Sequence, residues 1–560
     1  MMKKALLPIL FSLLCGTTFG QKGFGGVPKS FKSVENFTQK KIALVNLSKP
    51  NMSEVVAEDM NTTKQSYRVG INIPVNLNME KDGNWNIIGN TRVWKLTIHV
   101  SDAQALGLYM EDYSIPAGGK LFAYNKNRKQ VIGAFTNETP SLMAMEMIQG
   151  EEITLEYNQP LSVDELPVFN ISEVVYFYRG VEDRIGVYRE MDFIQPKADA
   201  CQVNVACPEG DDHQDQINSV VHYTFSDGGS SFVCSASLIA NATYDCTPYI
   251  LTATHCGEKT STSELNTNIW YFNYQNPNCA PGTTAPFAKP SFTAIGGIFR
   301  ASSKNTWGIT NGNQVYGTDF TLVELTASAN LPANAFFAGW DISTNAATEG
   351  VGVHHPAGHD KKISTYNNDL TTGTYNGGLS GGHWRVQWSS TQSGHGVTEG
   401  GSSGSPIFNQ NGHVVGILSG GSSFCNATNN PDLYGKLDVS WNPAGSSADG
   451  RLKDWLDPEN TGVTSINGVK FPCSDYLSVE NEKSEKLELY PNPTKGDFKL
   501  ENLADGNKLI RVSDISGRLI LQTSTDKKDI TLSITNEQHG VYLITVISEY
   551  GAQTLRLVKK

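Results

Sequence analysis

The sequence predicts an all-β chain built from several units, and three observations carry this. Short apolar runs such as SASLIA, YILTATHC, DFTLVEL and HVVGILSGG alternate with clusters of Gly, Ser, Asn and Thr, as short strands joined by turns do. Charged residues make up only 18% and glycines number 53, a composition that leans toward β-rich exported folds. The 560 residues exceed a single core and imply about three or four units. A net charge of -12 argues against a nucleic-acid role driven by phosphate attraction.

Taken in order, residues 1–20 read as a secretory signal peptide. MMKK is followed by the apolar stretch ALLPILFSLLC and the small-residue exit GTTFGQ, too short a run to span a bilayer. A lipoprotein signal would need a small residue before Cys15, and Leu14 stands there. No later run is long and apolar enough to cross a membrane, so the mature chain is expected to lack a transmembrane segment.

Residues 21–197 read as a separate β-rich prosegment. Asn84 to Val100 mixes β-branched and aromatic residues in strand-like alternation, and Pro116 to Gly119 predicts a turn before the strand LFAYN. The polar stretch 180–197 reads as a linker. From 198 to 473 the chain turns Gly-, Ser-, Asn- and Thr-rich, which suggests an antiparallel sandwich or barrel pair. Residues 474–560 open on the charged spacer SVENEKSEKLE. They continue with the strand-like runs LIRVSD, GRLILQT, ITLSI and VYLITVI, a small all-β module.

Once Cys15 leaves with the signal, eight cysteines remain, at 201, 207, 234, 246, 256, 279, 425 and 473. All fall in one window of an exported chain, where disulfides persist, but 105 pairings are open to eight cysteines.

Three short segments carry the chemistry. GSSGSPIF, Gly401 to Phe408, is a glycine-flanked serine pair whose backbone amides can face a reacting carbonyl oxygen. LTATHC ends a short strand at His255, and YGTDFTLVEL starts an apolar strand at Asp319. A serine hydroxyl needs a histidine to take its proton and a carboxylate to hold that histidine's tautomer. Alone, each segment reads as a turn, a structural histidine or a strand cap. Together, in one cysteine-bearing exported window, they point to nucleophilic catalysis.

These segments resemble the trypsin-like serine proteases, and more closely the lysyl endopeptidases. The likeness runs from about Cys201 to Asn467 and includes CQVNVACPEGD, WYFNYQNPNC, VGVHHPAGHDKKIS, GVTEGGSSGSPIF and LKDWLDPENTG. It implies a double antiparallel β-barrel with Ser403 as nucleophile, His255 as general base then acid, and Asp319 as orienter. It also implies an oxyanion hole from the backbone amides of Gly401 and Ser403. Ser405 is the other candidate nucleophile. Ser402 stands where trypsin has the aspartate that pairs with its new N-terminus, so activation is expected to rest on removal of the prosegment.

The resemblance further implies Asp432 as the acid of a lysine pocket, with Glu399 as its rival. It places Tyr375 and Ser419 where the family has a substrate-side tryptophan and histidine. It implies the disulfides Cys201–Cys425, Cys207–Cys279 and Cys234–Cys256, and leaves Cys246 and Cys473 to pair by elimination. Lys197 is the expected self-cleavage site, with Ala198 as the new N-terminus. Residues 21–197 look like the prosegments of such enzymes. LYPNPTKGDFKLE with VSDISGRLI and GVYLITV resembles the sorting domain of type IX secretion.

The expectation is a monomeric, exported serine endopeptidase acting on protein or peptide substrates, handled by the outer-membrane type IX machinery. No cofactor or metal is expected. His354, His355 and His359 lack helical spacing because Pro356 and Gly358 interrupt them, and Asp211, Asp212 and Asp215 do not fit a calcium loop. The alternatives are a broader Lys/Arg protease, a catalytically inactive surface adhesin on the same scaffold, and a carbohydrate-binding or structural β protein.

Overall fold

In the computed structural model, the described residues are 24–31, 43–61, 66–137, 144–180, 198–473 and 487–560, apart from short stretches at 260, 280–292, 308, 311–312, 315–316, 326–330, 376–377, 504–505, 507, 515–517 and 549–550. The expected signal peptide, Cys15, Lys197 and nearly all of the expected linker lie outside them. The chain divides into two compact units, with the boundary between Phe471 and Pro472. Strands dominate both, as the alternating and short apolar runs predicted.

Within the first unit, Asn84–Ile88 and Thr91–Val100 are paired strands, and Gly119 N–H donates to Pro116 O at 2.9 Å to make the expected turn before Lys120–Asn125. These belong to a six-stranded sheet in which Thr91–Val100 lies between Ala43–Leu47 and Glu152–Pro160. Its inward faces bury Trp94, Leu96, Ile98, Leu155 and Tyr157.

The second sheet has eleven strands and departs from the expected layout. Four come from the N-terminal segment: Tyr67–Asn78, Ala105–Ser114, Ala144–Gln149 and Val168–Phe177. The rest belong to the region after residue 198. The join is Tyr67–Asn78 against Ser230–Ile239, antiparallel, with Tyr67 opposite Val233 and Ile71 opposite Ser230. A segment expected to stand apart is thus hydrogen-bonded into the sheet that follows it. The physical reason lies in Ser230–Ile239: Tyr249–Ala253 covers its edge only from Ser237 to Ile239, so residues 230–233 would otherwise be an open edge carrying Phe232 and Val233.

A third sheet, of ten strands, contains Gly350–His354, Pro406–Phe408, Val414–Gly421 and Asp432–Lys436. Tyr366, Trp384, Trp388, Ile407 and Tyr434 pack on it. Three disulfides join the pairs the resemblance implied: Cys201–Cys425, Cys207–Cys279 and Cys234–Cys256. Cys246 and Cys473 are also disulfide-bonded.

The second unit is a small β-sandwich. A three-stranded sheet with Asp497–Glu501 at its centre faces a four-stranded sheet centred on Lys508–Asp514 and Gly540–Ser548. Phe498, Leu500, Ile510, Val512, Ile544 and Leu557 fill the space between. Among the described residues, no helix is long and apolar enough to cross a membrane.

Candidate active site

Two neighbouring strands of the eleven-stranded sheet bring His255 and Asp319 together. Tyr249–Ala253 and Phe320–Glu324 pair antiparallel, with Ala253 opposite Phe320. His255 follows the end of the first strand and Asp319 precedes the start of the second, so residues 64 positions apart meet at one edge. His255 Nδ1 lies 2.7 Å from Asp319 Oδ2, and the His255 backbone N–H donates to Asp319 Oδ1 at 3.0 Å. Thr254 N–H closes the corner on the Asp319 carbonyl at 2.9 Å. Asp319 takes the left-handed conformation, φ 63°, which turns its carboxylate back toward the histidine. A carboxylate at Nδ1 fixes the tautomer and leaves Nε2 to exchange a proton. His255 Nε2 is buried without a hydrogen-bond partner among the described residues.

Ser403 sits on the loop entering Pro406–Phe408 in the ten-stranded sheet. Gly401 and Gly404, at φ 92° and 81°, turn the chain on either side of it. Ser402 N–H donates to Glu399 O at 2.9 Å, Ser405 N–H to Ser402 O at 3.0 Å and Gly404 N–H to Leu418 O at 2.9 Å. The loop is tied to the other sheet twice: Ser235 N–H donates to Ser403 O at 2.8 Å, and Ser235 Oγ donates to Gly401 O at 3.0 Å. The Ser402 hydroxyl meets His354 Nδ1 at 2.7 Å, and burial holds that imidazole neutral by lowering its pKa to about 3. Ser403 retains 5% exposure while Ser402 and Ser405 have none.

The expected pocket acid is built as a buried carboxylate. Asp432 has no exposure and opens the strand Asp432–Lys436 beside Gly421. Its Oδ2 accepts from Trp388 Nε1 at 2.6 Å, Thr398 Oγ1 at 2.7 Å and Ser423 Oγ at 2.6 Å, and its Oδ1 accepts from Ser423 N–H at 3.2 Å. Burial pushes its pKa above the usual carboxylate range, against the lowering effect of these donors. A Cβ on Gly421 would meet Asp432 Oδ1 at 1.8 Å, so glycine there keeps the carboxylate in place. Glu399, the rival acid, faces elsewhere: it accepts from the Asp199 N–H at 3.0 Å and from Gln202 Nε2 at 2.6 Å.

Ser419 is fully buried and holds a residue that the motifs did not single out. Its hydroxyl lies 3.1 Å from Nε2 of His383, whose pKa burial lowers to about 4. Tyr375 packs beside it, ring centroids 5.8 Å apart, with its hydroxyl 2.8 Å from where a Cβ on Gly420 would lie. His383 is placed by strand pairing with Gly435 on one side and Gly373 on the other, and no local motif marks it.

Two antiparallel sheets, one carrying the His255–Asp319 pair and the other presenting Ser403, define the class: an all-β, trypsin-like serine protease fold. Within that class, residues 196–435 match the family model of the lysyl endopeptidase C-terminal domain, and residues 488–560 match the secretion system C-terminal sorting domain. The lysyl endopeptidase of Pseudomonas aeruginosa is 27% identical over 298 residues, which cover 50% of this chain and 57% of that protein. The chain therefore spans just over half the length of this relative. Among solved structures, the protease Anisep from Arthrobacter nicotinovorans is 18% identical with a TM-score of 0.27, covering 39% of this chain and 90% of its own. A Glu endopeptidase is 21% identical with a TM-score of 0.25, covering 43% and 90%. The sorting domain marks the protein for export across the outer membrane, to the cell surface or beyond.

Proposed function

We propose that residues 198–473 form a serine endopeptidase that cleaves after lysine. The observation that carries this reading is the His255–Asp319 pair, 2.7 Å apart, beside the glycine-turned loop of Ser403. In the proposed mechanism, Ser403 Oγ attacks the carbonyl carbon of the scissile peptide while His255 Nε2 takes its proton. Asp319 stabilises the imidazolium so formed, and the backbone amides of Gly401 and Ser403 hold the developing oxyanion, about 3 kcal/mol for each donor. His255 returns the proton to the leaving amine, and a water then hydrolyses the acyl-enzyme by the same route. Asp432 supplies the counter-charge for a lysyl ammonium, since a neutral side chain would leave this buried carboxylate unpaired.

Residues 21–197 serve as the prosegment, with the cut at Lys197, and residues 474–560 address the chain to the type IX machinery. Cys246 and Cys473 form the fourth disulfide. The test is digestion of a mixed peptide library by the wild type and by Ser403→Ala, read for the residue before each cut. Cleavage after lysine by the wild type alone is expected. Equal cleavage by both overturns the assignment of Ser403, and a cut pattern indifferent to lysine overturns that of Asp432.

A further inference from the structure

None of His354, His355 and His359 enters the proposed mechanism, yet the segment that carries them backs the loop of Ser403. Three consecutive peptide groups of that loop are each held at the carbonyl. Gly400 O accepts from the Ala357 N–H at 2.7 Å, Gly401 O from Ser235 Oγ at 3.0 Å, and Ser402 O from the Ser405 N–H at 3.0 Å. Ser235 Oγ in turn accepts from the His355 N–H at 2.9 Å. In a trans peptide the C=O and the following N–H point in opposite directions. Holding Gly400 O against Ala357 therefore aims the Gly401 N–H away from the turn, and holding Ser402 O aims the Ser403 N–H. These are the two amides proposed to hold the oxyanion.

The turn lies directly on the loop: a Cβ on Gly401 would stand 3.0 Å from His355 O and 3.1 Å from Gly358 N. Ala357 takes φ 52°, ψ 22°, a left-handed conformation that an alanine keeps only where its surroundings impose it. One side chain fixes the middle of the loop. Ser402 and His354 are both fully buried. Ser402 Oγ accepts from the Glu399 N–H at 3.2 Å, so its own proton goes to His354 Nδ1, 2.7 Å away, and His354 Nε2–H donates to Ser364 Oγ at 3.1 Å. Ser364 stands on Lys362–Tyr366, the strand paired with Gly350–His354. A continuous hydrogen-bonded chain thus runs from the sheet to the residue between the two oxyanion amides. Burial keeps the imidazole neutral, so Nδ1 remains an acceptor.

We infer that His354 is a positioning residue for the oxyanion hole, anchoring Ser402 so that the amides of Gly401 and Ser403 stay aimed at one point. This rests on the reading of the site as a serine endopeptidase. A loop freed at Ser402 can rotate its peptide groups, and a donor turned out of the hole is lost to the reaction as surely as one removed. The loss falls on the transition state, where the charge develops, and not on lysine binding.

The experiment uses the full chain with a recognition sequence for an unrelated protease placed within 181–197, so that maturation does not depend on the variant's own activity. The proteins compared are the parent, His354→Ala, His354→Asn, Ser402→Ala, and the double variant of His354→Ala with Ser402→Ala, each checked for folding by circular dichroism. The readouts are kcat and KM on a lysyl amide and inhibition by a peptidyl lysine aldehyde, whose adduct places an oxyanion in the hole. His354→Ala is expected to lower kcat about 10²-fold and to weaken the aldehyde by a similar factor, with KM within about twofold of the parent's. His354→Asn is expected to recover most of kcat, because its Oδ1 can accept from Ser402 where Nδ1 did. The double variant is expected to lose no more than the worse single one, since both remove the same link.

A folded His354→Ala with the parent's kcat, or one whose KM rises while kcat holds, overturns the inference and leaves the enzyme reading standing. Additive losses in the double variant, or His354→Asn as slow as His354→Ala, overturn it likewise. If His354→Ala does not fold, Ser402→Ala carries the test, and full kcat there overturns the inference. A parent that cleaves nothing sinks the enzyme reading, and the inference with it.

Discussion

The backbone N–H of Ser235 donates to the carbonyl oxygen of Ser403 at 2.8 Å, and with the Ser235 hydroxyl on Gly401 O this bond ties the loop that carries the serine to the sheet that carries the histidine and aspartate. Ser235 stands next to Cys234, so the same short segment also anchors the His255 corner through the disulfide to Cys256. The proposed catalytic groups are therefore positioned relative to each other by main-chain geometry. The consequences can be measured.

Asp319→Asn should leave the fold intact and reduce kcat by about 10⁴-fold, because an amide at Nδ1 no longer selects the tautomer that frees Nε2 to accept a proton. The check is kcat on a lysyl amide substrate, with circular dichroism to verify folding. A loss of less than tenfold would remove Asp319 from the mechanism.

Asp432→Asn should lower kcat/KM for a lysyl substrate by about 10²-fold or more, equivalent to some 2–5 kcal/mol for a desolvated charge pair, with a much smaller effect on a neutral substrate. Burial raises the carboxyl pKa, so its ionised form is lost earlier on acidification than for an ordinary aspartate. KM for lysine should accordingly rise as pH falls through that raised value, while KM for the Asn variant should stay flat. A pH series of KM for both proteins decides this.

Glu146 lies on Ala144–Gln149 of the N-terminal segment and accepts from Thr293 Oγ1 at 2.6 Å, across the join to the catalytic part. Burial raises its pKa to about 7, with Tyr271 the titratable neighbour that feels its charge. The sign follows from linkage. The folded state binds the proton more tightly, so the stabilisation is full below the ordinary carboxylate pKa and is lost as pH rises toward and past 7, on the order of 3 kcal/mol in all. In the Ser403→Ala chain, Tm should fall from pH 5 to pH 8 by more than in the same chain with Glu146→Gln. Identical pH profiles would exclude this group.

Gly404→Ala should destabilise the fold by about 2–4 kcal/mol, since a side chain at φ 81° would place Cβ 2.3 Å from Thr252 Oγ1 and 2.4 Å from Ser235 O. Urea denaturation gives the number. Gly228→Ala is the contrast, because among the described residues nothing lies within 4 Å of a Cβ there, and its φ of 55° is what opposes the change.

Much of this was legible in local patterns. The alternation in Asn84 to Val100, the apolar runs ending at His255 and starting at Asp319, and the glycines around Ser403 each specify a local structure that needs no distant partner. A strand's buried face and a glycine's left-handed turn are decided within a few residues, which is why those readings match the strands Thr91–Val100, Tyr249–Ala253 and Phe320–Glu324. The role of His383 was not legible, because it meets Ser419, 36 positions away, across an intervening strand, Asp432–Lys436, that pairs with the strands of both. Nor was the direction of Glu399, which only the packing of Asp199 and Gln202 against it settles.

The sequence by itself determined the β-rich class, the sites of the turns and the residue types at the candidate site. Only the tertiary structure decided that the N-terminal segment shares a sheet with the region it precedes. The physical reason is that an exposed strand edge carries no signature of its own: the backbone groups of residues 230–233 can pair with any extended segment, and which one arrives depends on the shared apolar cluster that Val69, Tyr109 and Phe177 complete with Val233.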